Sequence, residues 1–158
     1  MVIDMNYSNP YVHVTEAERN NILIKERFRI AYYRLPYKNI SSIIISHLAM
    51  NVKRNLNLFP VIGVVLDYYI PHVILSQRCW YYKKYYQVEF GAYVQESQVN
   101  DPKNTNCLRT LDGIYLFPSP NFQGGHHIMD LRTRQSITGP KAVYIPIIDV
   151  VINTVKKW

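Results

Sequence analysis

The first half of the fold is decided by residues 15–35, whose sequence is TEAERNNILIKERFRIAYYRL. Thr15 and Glu18 match the capping box, in which an N-cap Thr and a Glu three residues later satisfy each other's backbone N–H groups. Five apolar residues then recur three, four or seven positions apart and fall within about 60° of one another on a helix: Ala17, Ile24, Phe28, Ala31 and Leu35. This pattern predicts a helix with one core-facing stripe, which Pro36 ends.

A second helix is predicted from about residue 41 to residue 56. Its apolar residues keep the spacing of three to four positions that places them on one face: Ile45, Leu48, Val52 and Leu56. The segment 57–70 contains proline and glycine and is typical of a loop. Pro71 favours the start of a short helix through Gln77, and residues 80–86 form an aromatic and lysine-rich connector.

The pattern changes near residue 86, where short strand-like segments replace the helical period. Their spacing predicts a small meander or barrel, with strands at 88–94, 113–117, 127–131, 135–138 and 143–145. The tail is compatible with a helix. The sequence therefore predicts an α+β fold in four parts: an irregular lead-in (1–14), a helical part (15–86), a β-domain (87–148) and a tail (149–158).

Charge and composition narrow the class of protein. Hydrophobic residues make up 48% of the 158 residues, which argues against disorder. The net charge of +7 favours nucleic acid as a partner first and a membrane surface second. The apolar runs fall short of the roughly 18–20 residues that a bilayer crossing needs, and the first ten residues lack a signal-peptide pattern. We therefore expect an intracellular protein with no membrane partner.

Residues 16–21, with the sequence EAERNN, carry a more specific signal. They resemble the segment around the last acidic residue of the integrase core in copia-type LTR retrotransposon Gag-Pol polyproteins, which reads Ala-Glu-Arg-x-Asn-Arg. Downstream blocks resemble the same polyproteins, where a retroviral polymerase SH3-like domain follows the core: 88–94, 113–116, 123–126 and 129–133. Several blocks in this order cover nearly all of residues 13–150, and their order carries the resemblance.

The resemblance implies an RNase H-like core in which two Asp and one Glu hold two Mg²⁺ or Mn²⁺ ions about 3.5–4 Å apart. Glu18 would be the third carboxylate and a metal ligand. The intact enzyme would perform strand transfer, the in-line attack of a DNA 3′-hydroxyl on a target phosphodiester. Only 17 residues precede Glu18, and Asp4 is the single Asp among them. We therefore expect the helices to be left from a truncated core, catalytically inactive and without a metal cofactor of its own.

The resemblance also implies partners: DNA, the remainder of the polyprotein or an integrase multimer, with the nucleus as the location. Five residues beside Glu18 can contact DNA phosphates and make binding salt-dependent: Arg19, Asn20, Asn21, Lys25 and Arg29. Two residues depart from the family pattern. Ile22 stands where Arg is usual, and Arg134 stands where a glycine would suit the hairpin turn.

Each candidate site has a structural alternative. Glu18 can serve the capping box alone, and its basic neighbours can form a solvated helix face. The rings and lysines of 80–86 can stack on bases or pack under the β part. His126 and His127 point to opposite faces of a strand and make poor paired metal ligands. Four other residues of the types that bind zinc are spaced too widely for a compact finger: His13, His47, Cys79 and Cys107.

Two further functions stay open beside the integrase fragment. One is a non-catalytic basic nucleic-acid-binding module, and the other is a purely structural interaction protein. The fragment hypothesis predicts exposed apolar surface on both helices, because the sheet that would cover them is missing. The module hypothesis predicts cooperative unfolding and salt-dependent DNA binding, whereas the interaction protein would have no affinity for nucleic acid at low salt.

Overall fold

The computed structural model describes residues 15–59, 70–77, 82–97, 108–119 and 124–158. Its helices are α1 (Thr15–Arg34), α2 (Ser42–Leu56), α3 (Pro71–Ser76), α4 (Tyr82–Tyr85) and α5 (Asp149–Lys156). Its strands are β1 (Tyr93–Ser97), β2 (Thr110–Pro118), β3 (His126–Asp130), β4 (Ser136–Gly139) and β5 (Ala142–Tyr144). These elements confirm the α+β prediction. The predicted lead-in (1–14) and most of the predicted loop 57–70 lie outside the described residues.

The two long helices follow the bounds predicted from the sequence. α1 ends at Arg34, just before the predicted proline stop. α2 buries Ile44, Leu48 and Val52, which follow one another at i, i+4 and drift by only about 40° per step. Ile45, predicted to lie in the core, is instead 37% exposed. It lies about 60° from Leu48 around the helix, at the edge of the strip that is buried.

Two of the shorter helices lie close to where the sequence predicts them, whereas α4 lies within the segment 80–86 that is predicted as a connector. α3 starts at Pro71, and Gln77 follows its end in the left-handed conformation with φ of 54°. The tail is helical as α5, which buries Val151 and Val155. Within the described ranges, none of the helices combines the length and the apolar character that a bilayer crossing requires.

The five strands form one antiparallel sheet in the order β4-β3-β2-β1-β5. The first four are consecutive neighbours, and β5 returns to the free side of β1, where Gln95 pairs with Val143. Between β1 and β2, Val94 pairs with Gly113, and between β2 and β3, Ile114 pairs with Met129. The chain therefore forms a four-stranded meander to which a fifth strand is added beside the first.

The predicted strand 88–94 needs a correction, because β1 begins only at Tyr93. The chain turns first: the Ala92 N–H donates to the Glu89 carbonyl over 3.2 Å, and Gly91 has φ of 83°. A positive φ suits glycine, which has no Cβ, and interrupts an extended strand. The Phe-Gly pattern in this segment thus belongs to a turn that leads into the sheet.

β2 is longer at both ends than the predicted segment 113–117. Pro118 is the last residue of β2 and pairs with His126 of β3. Proline is tolerated there because only a terminal ladder bond lacks its donor. The register shifts between Tyr115 and Phe117, which is the mark of a β-bulge.

The hairpin between β3 and β4 turns where the sequence places it. Asp130 orders the turn, because its carboxylate accepts hydrogen bonds from the Arg132 N–H at 2.9 Å and the Thr133 hydroxyl at 2.7 Å. The Arg134 N–H donates to the Asp130 carbonyl over 2.9 Å. Arg134 itself has φ of 60°, the left-handed geometry for which a glycine would be suited.

The sheet is strongly curled. In a flat sheet of this order, β4 and β5 would lie four strand spacings apart, or about 19 Å. Only Pro140 and Lys141 connect them, so the Cα atoms of Gly139 and Ala142 lie at most about 11 Å apart. The Glu96 carboxylate of β1 fills the space that a Cβ on Gly139 would need. The sheet therefore rolls until β4 approaches β1, although its two edges are not hydrogen-bonded to each other.

One hydrophobic cluster joins the helices to the sheet. Its buried members come from both sides of residue 86: Tyr37, Ile44, Tyr93, Ile114, Leu116, Met129, Val151 and Val155. The Tyr37 hydroxyl donates to the Gly91 carbonyl over 2.9 Å across this junction. A second cluster of Val94, Tyr115 and Ile128 lies apart from it. The domain division at residue 86 stays a prediction, and the core spans it.

Candidate nucleic-acid interface

All six residues predicted for the metal and DNA sites lie on α1, and all six are exposed: Glu18, Arg19, Asn20, Asn21, Lys25 and Arg29. Asn21, Lys25 and Arg29 follow one another at i, i+4 and share one face. Arg19 lies about 80° from Arg29 around the helix. Asn20 lies about 100° from Asn21, on the side that leads toward the core. The helix thus brings three of the five DNA candidates together and separates Asn20 from them.

The basic surface of α1 is larger than the sequence pattern indicated. Arg27 and Arg34 are also exposed. A helical-wheel projection of the sequence of α1 would have identified both as surface cations. Arg34 bonds the carboxylate of Glu89 across 2.9 Å. The exposed cations of α1 exceed its described exposed acids, Glu18 and Glu26. The helix therefore presents a net positive surface of the kind that attracts phosphates.

Glu18 is not a member of a metal-binding group within the part of the chain that the structure describes. Among the described residues, no three His, Cys, Asp or Glu side chains lie close enough together to hold an ion. Two-metal chemistry requires several carboxylates to converge, so the residues described do not fit a pair of Mg²⁺ ions. The Thr15 half of the predicted capping box lies outside the described side chains.

The first turns of α1 are uncovered on every side. Each described side chain from Ala17 to Leu23 is exposed, and burial along the helix begins only at Ile24. The prediction that Ala17 faces the core is wrong, because the core covers α1 only from Ile24 onward. Apolar side chains remain exposed further along α1, including Ile30 at 56% and Tyr33 at 83%.

A second group of polar and aromatic residues surrounds Phe117 on the sheet. The His127 and His47 rings lie 4.6 and 5.9 Å from the Phe117 ring, and the Arg54 guanidinium lies 5.7 Å from its centre. Arg54 also donates to the Pro118 carbonyl over 2.6 Å. Burial lowers the pKa of both histidines, and the charge of Arg54 lowers that of His127 further. This cluster joins α2 to the end of β2 through His47 and Arg54.

The adjacent histidines of β3 have different partners, as expected for neighbours in a strand. His126 Nδ1 lies 3.2 Å from the Tyr115 hydroxyl, and His127 Nδ1 lies 3.1 Å from Thr138 Oγ1. Burial also lowers the pKa of His126. Both imidazoles are thus engaged within the sheet rather than directed together at one ligand.

The aromatic connector is described only from residue 82 onward. Tyr82 and Tyr86 stack on each other with ring centres 6.0 Å apart, and Phe59 lies 6.0 Å from Tyr82. The Tyr82 hydroxyl donates to the Leu58 carbonyl, and the Tyr86 hydroxyl donates to Asn55 Oδ1. These contacts tie both hydroxyls to α2 and the turn that follows it, whereas the packing alternative placed the rings under the β part.

Comparisons of the chain with models of known protein families, with curated proteins and with solved structures found no match.

Proposed function

We propose that this chain is the C-terminal part of a copia-type integrase core followed by an SH3-like domain, and that it binds DNA through α1 without catalysing strand transfer alone. The observation that carries the proposal is the exposure of α1. Its first turns are uncovered from Ala17 to Leu23, and they carry Glu18 beside a basic face. In the intact enzyme, strands from upstream would cover the apolar residues of this helix.

Exposed apolar side chains on both long helices support the hypothesis that a sheet covers these helices in the intact enzyme. On α1 they include Ile22 at 58% and Ile30 at 56%, and on α2 they include Ile43 at 51% and Met50 at 62%. Single exposed apolar residues are ordinary, whereas several on neighbouring helices indicate a surface that another element covers. The fragment hypothesis predicts this exposure on both helices.

The curl of the sheet supports the SH3-like assignment. The sheet has five short antiparallel strands, with the fifth beside the first. It curls so strongly that a connection of two residues spans the distance between its outer strands, β4 and β5. This arrangement approaches a small barrel, in which interior and exterior residues alternate along each strand. The two clusters built around Ile114 and Tyr115 show that alternation within β2.

Salt-dependent binding of duplex DNA tests the role of α1. Each phosphate contact steepens the fall of log K with log salt by about 0.9. The double variant Lys25→Ala/Arg29→Ala should therefore flatten the slope by about 1.8. Arg132→Ala/Lys141→Ala removes the same charge from exposed positions outside α1 and should leave the slope as in the wild type. Equal flattening in both variants, or no binding at low salt, would overturn the assignment to α1.

A strand-transfer assay tests the absence of catalysis. The chain should form no product from a DNA 3′-end and a target duplex in Mg²⁺ or Mn²⁺. The variant Glu18→Gln distinguishes a contaminant from an activity of this chain. A product that the wild type forms and Glu18→Gln does not would show that Glu18 works as a metal ligand here.

The second candidate is a self-sufficient basic nucleic-acid-binding module. The shared core favours it, because Ile44 of α2 and Val151 of α5 belong to one cluster with the sheet residue Leu116. A module of this kind melts cooperatively and binds little hydrophobic dye. The fragment binds dye strongly through the exposed faces of α1 and α2, so dye fluorescence across a thermal melt separates the two.

A further inference from the structure

A cleft of about 390 Å³ lies where the two long helices meet the sheet. The C-terminal end of α1, the middle of α2 and residues 86–90 form its walls, and β2 also lines it. Its apolar lining includes Ala31, Leu35, Leu48, Val88, Phe90 and Leu116. The volume falls in the range of about 300–1,000 Å³ that small-molecule sites occupy.

Two polar contacts tie residues 86–90 to the helices beside this cleft. The Tyr86 hydroxyl donates to Asn55 Oδ1 over 2.7 Å, and Arg34 Nη2 donates to Glu89 Oε1 over 2.9 Å. The side chains of the ion pair are 69% and 79% exposed, so the pair contributes little stability. It can therefore open, and the guanidinium can exchange its carboxylate partner for an anionic ligand.

Two of the side-chain amides that line the cleft, those of Asn55 and Gln87, have complementary roles. A tyrosine hydroxyl is protonated at neutral pH, and burial raises the pKa of Tyr86 further, to about 12, so the group acts as a donor. Because this hydroxyl bonds Asn55 Oδ1, the Asn55 amide offers N–H donors to a ligand. Gln87 is the reverse, because its Nε2 donates to the Lys83 carbonyl over 3.2 Å and leaves Oε1 as an acceptor.

A donor and an acceptor beside apolar walls match the edge of adenine, which offers its N6 amino group next to the acceptor N7. Guanine offers two acceptors on the same edge, O6 and N7, and would set O6 against Gln87 Oε1. A guanidinium at the rim suits a phosphate, which it can bind through two parallel hydrogen bonds. The lining thus fits a flat base with a phosphate attached.

We propose that this cleft binds an adenine nucleotide, with Asn55 and Gln87 on the base edge and Arg34 on the phosphate. The apolar side chains of α1, α2 and residues 86–90 hold the faces of the base. The same chemistry comes from two sources, a free mononucleotide or an unpaired adenine in a single strand. This site is separate from the DNA contacts proposed for Lys25 and Arg29.

Calorimetric titration of the full chain with AMP and with GMP tests the base preference. AMP should bind about tenfold or more tightly than GMP, since one matched pair of base hydrogen bonds discriminates by about 1–3 kcal/mol. Gln87→Leu should bring the two affinities to within about threefold of each other. Gln135→Leu alters an exposed glutamine of the β3–β4 turn and should keep the preference. No heat with AMP, or equal affinities in the wild type, would overturn the proposal.

Filling the cleft tests its location. Ala31→Trp places an indole in the cleft and should weaken AMP binding about tenfold or more. Ala17→Trp makes the same exchange on an exposed turn of α1 and should bind AMP as the wild type does. Undiminished binding by a folded Ala31→Trp protein would place the nucleotide elsewhere. If Ala31→Trp fails to fold by circular dichroism, Gln87→Leu, which alters an exposed side chain, decides alone.

A labelled single strand with one adenine among abasic positions distinguishes the two sources. If the strand binds and AMP displaces it, the cleft takes both the free nucleotide and the unpaired adenine of a single strand. If AMP binds and the strand does not, the ligand is the free nucleotide. If the wild-type chain binds duplex DNA but not AMP, this inference is overturned and the proposed role of α1 is unaffected. Intact AMP binding without duplex binding would overturn the role of α1 alone.

Discussion

α1 and α2 begin from similar apolar periodicity and end in different surroundings. Leu48 in α2 is 1% exposed, and its neighbours Ile44 and Val52 are 1% and 5% exposed. In α1 the apolar stripe is half-buried from Ile24 onward and exposed before it. Periodicity therefore specifies which face of a helix is apolar, whereas the cover for that face comes from elsewhere in the chain or from a partner.

The largest expected difference between the two helices is in packing energy. Leu48→Ala should lower the free energy of unfolding by about 3 kcal/mol, because it leaves a cavity in a closed core. Ile22→Ala on α1 removes an exposed side chain and should change it by less than about 0.5 kcal/mol. Urea denaturation followed by circular dichroism measures both. Equal losses would show that α1 is covered in solution, for example by a second copy.

The sequence predicted the elements well and their surroundings poorly. Helix bounds follow from local signals such as Pro36 and Pro71, and the turn at Arg134 follows from hairpin chemistry. The start of β1 depends on the turn at Gly91, which the alternating pattern of residues 88–94 concealed. Local patterns record what a segment prefers, and a glycine within a strand-like run leaves that preference ambiguous.

The curl of the sheet and the cleft lay beyond sequence reasoning because both depend on distant contacts. Glu96 meets Gly139 only after three other strand pairings are in place. Asn55 and Gln87 line one cleft although 32 positions separate them. The basic face of α1 could be read directly, since residues at i, i+4 are neighbours on any helix. A surface on one element can therefore be predicted from the sequence, whereas a cleft between elements cannot.

Two glutamates extend the comparison from apolar to charged groups. Glu18 is exposed on α1, whereas Glu96 is only 4% exposed inside the curled sheet. Burial raises the pKa of Glu96 to about 7, and its Oε2 has no hydrogen-bond partner among the described residues. Since the unfolded chain ionises near pH 4.5, the folded state binds the extra proton between these values. Stability contributed by this proton is full below about pH 4.5 and is lost as pH rises through 7.

Glu96→Gln should therefore remove a decline of stability with pH. In the wild type, ionising this carboxyl above pH 7 costs up to about 3 kcal/mol relative to pH 4. The variant keeps the size of the side chain without the charge and should be more stable than the wild type at pH 8. Denaturant titrations at pH 5 and pH 8 measure the difference, with Glu26→Gln on the surface as a control for lost charge. A wild-type decline that persists in Glu96→Gln would assign it to another group.

The smallest expected change in the free energy of unfolding distinguishes Arg134, which has strained backbone geometry, from Arg132 in the same turn. Arg134 has φ of 60°, which costs a residue with a Cβ about 1 kcal/mol. Arg134→Gly removes this strain but makes the unfolded chain more flexible, so a net gain of about 0.5 kcal/mol is expected. Arg132 lies in the same turn without a positive φ. Arg132→Gly therefore makes the unfolded chain more flexible without relieving strain, and it should lower stability. The two variants therefore shift the urea midpoint in opposite directions, and a shift in the same direction would mean that the left-handed geometry at Arg134 carries no strain.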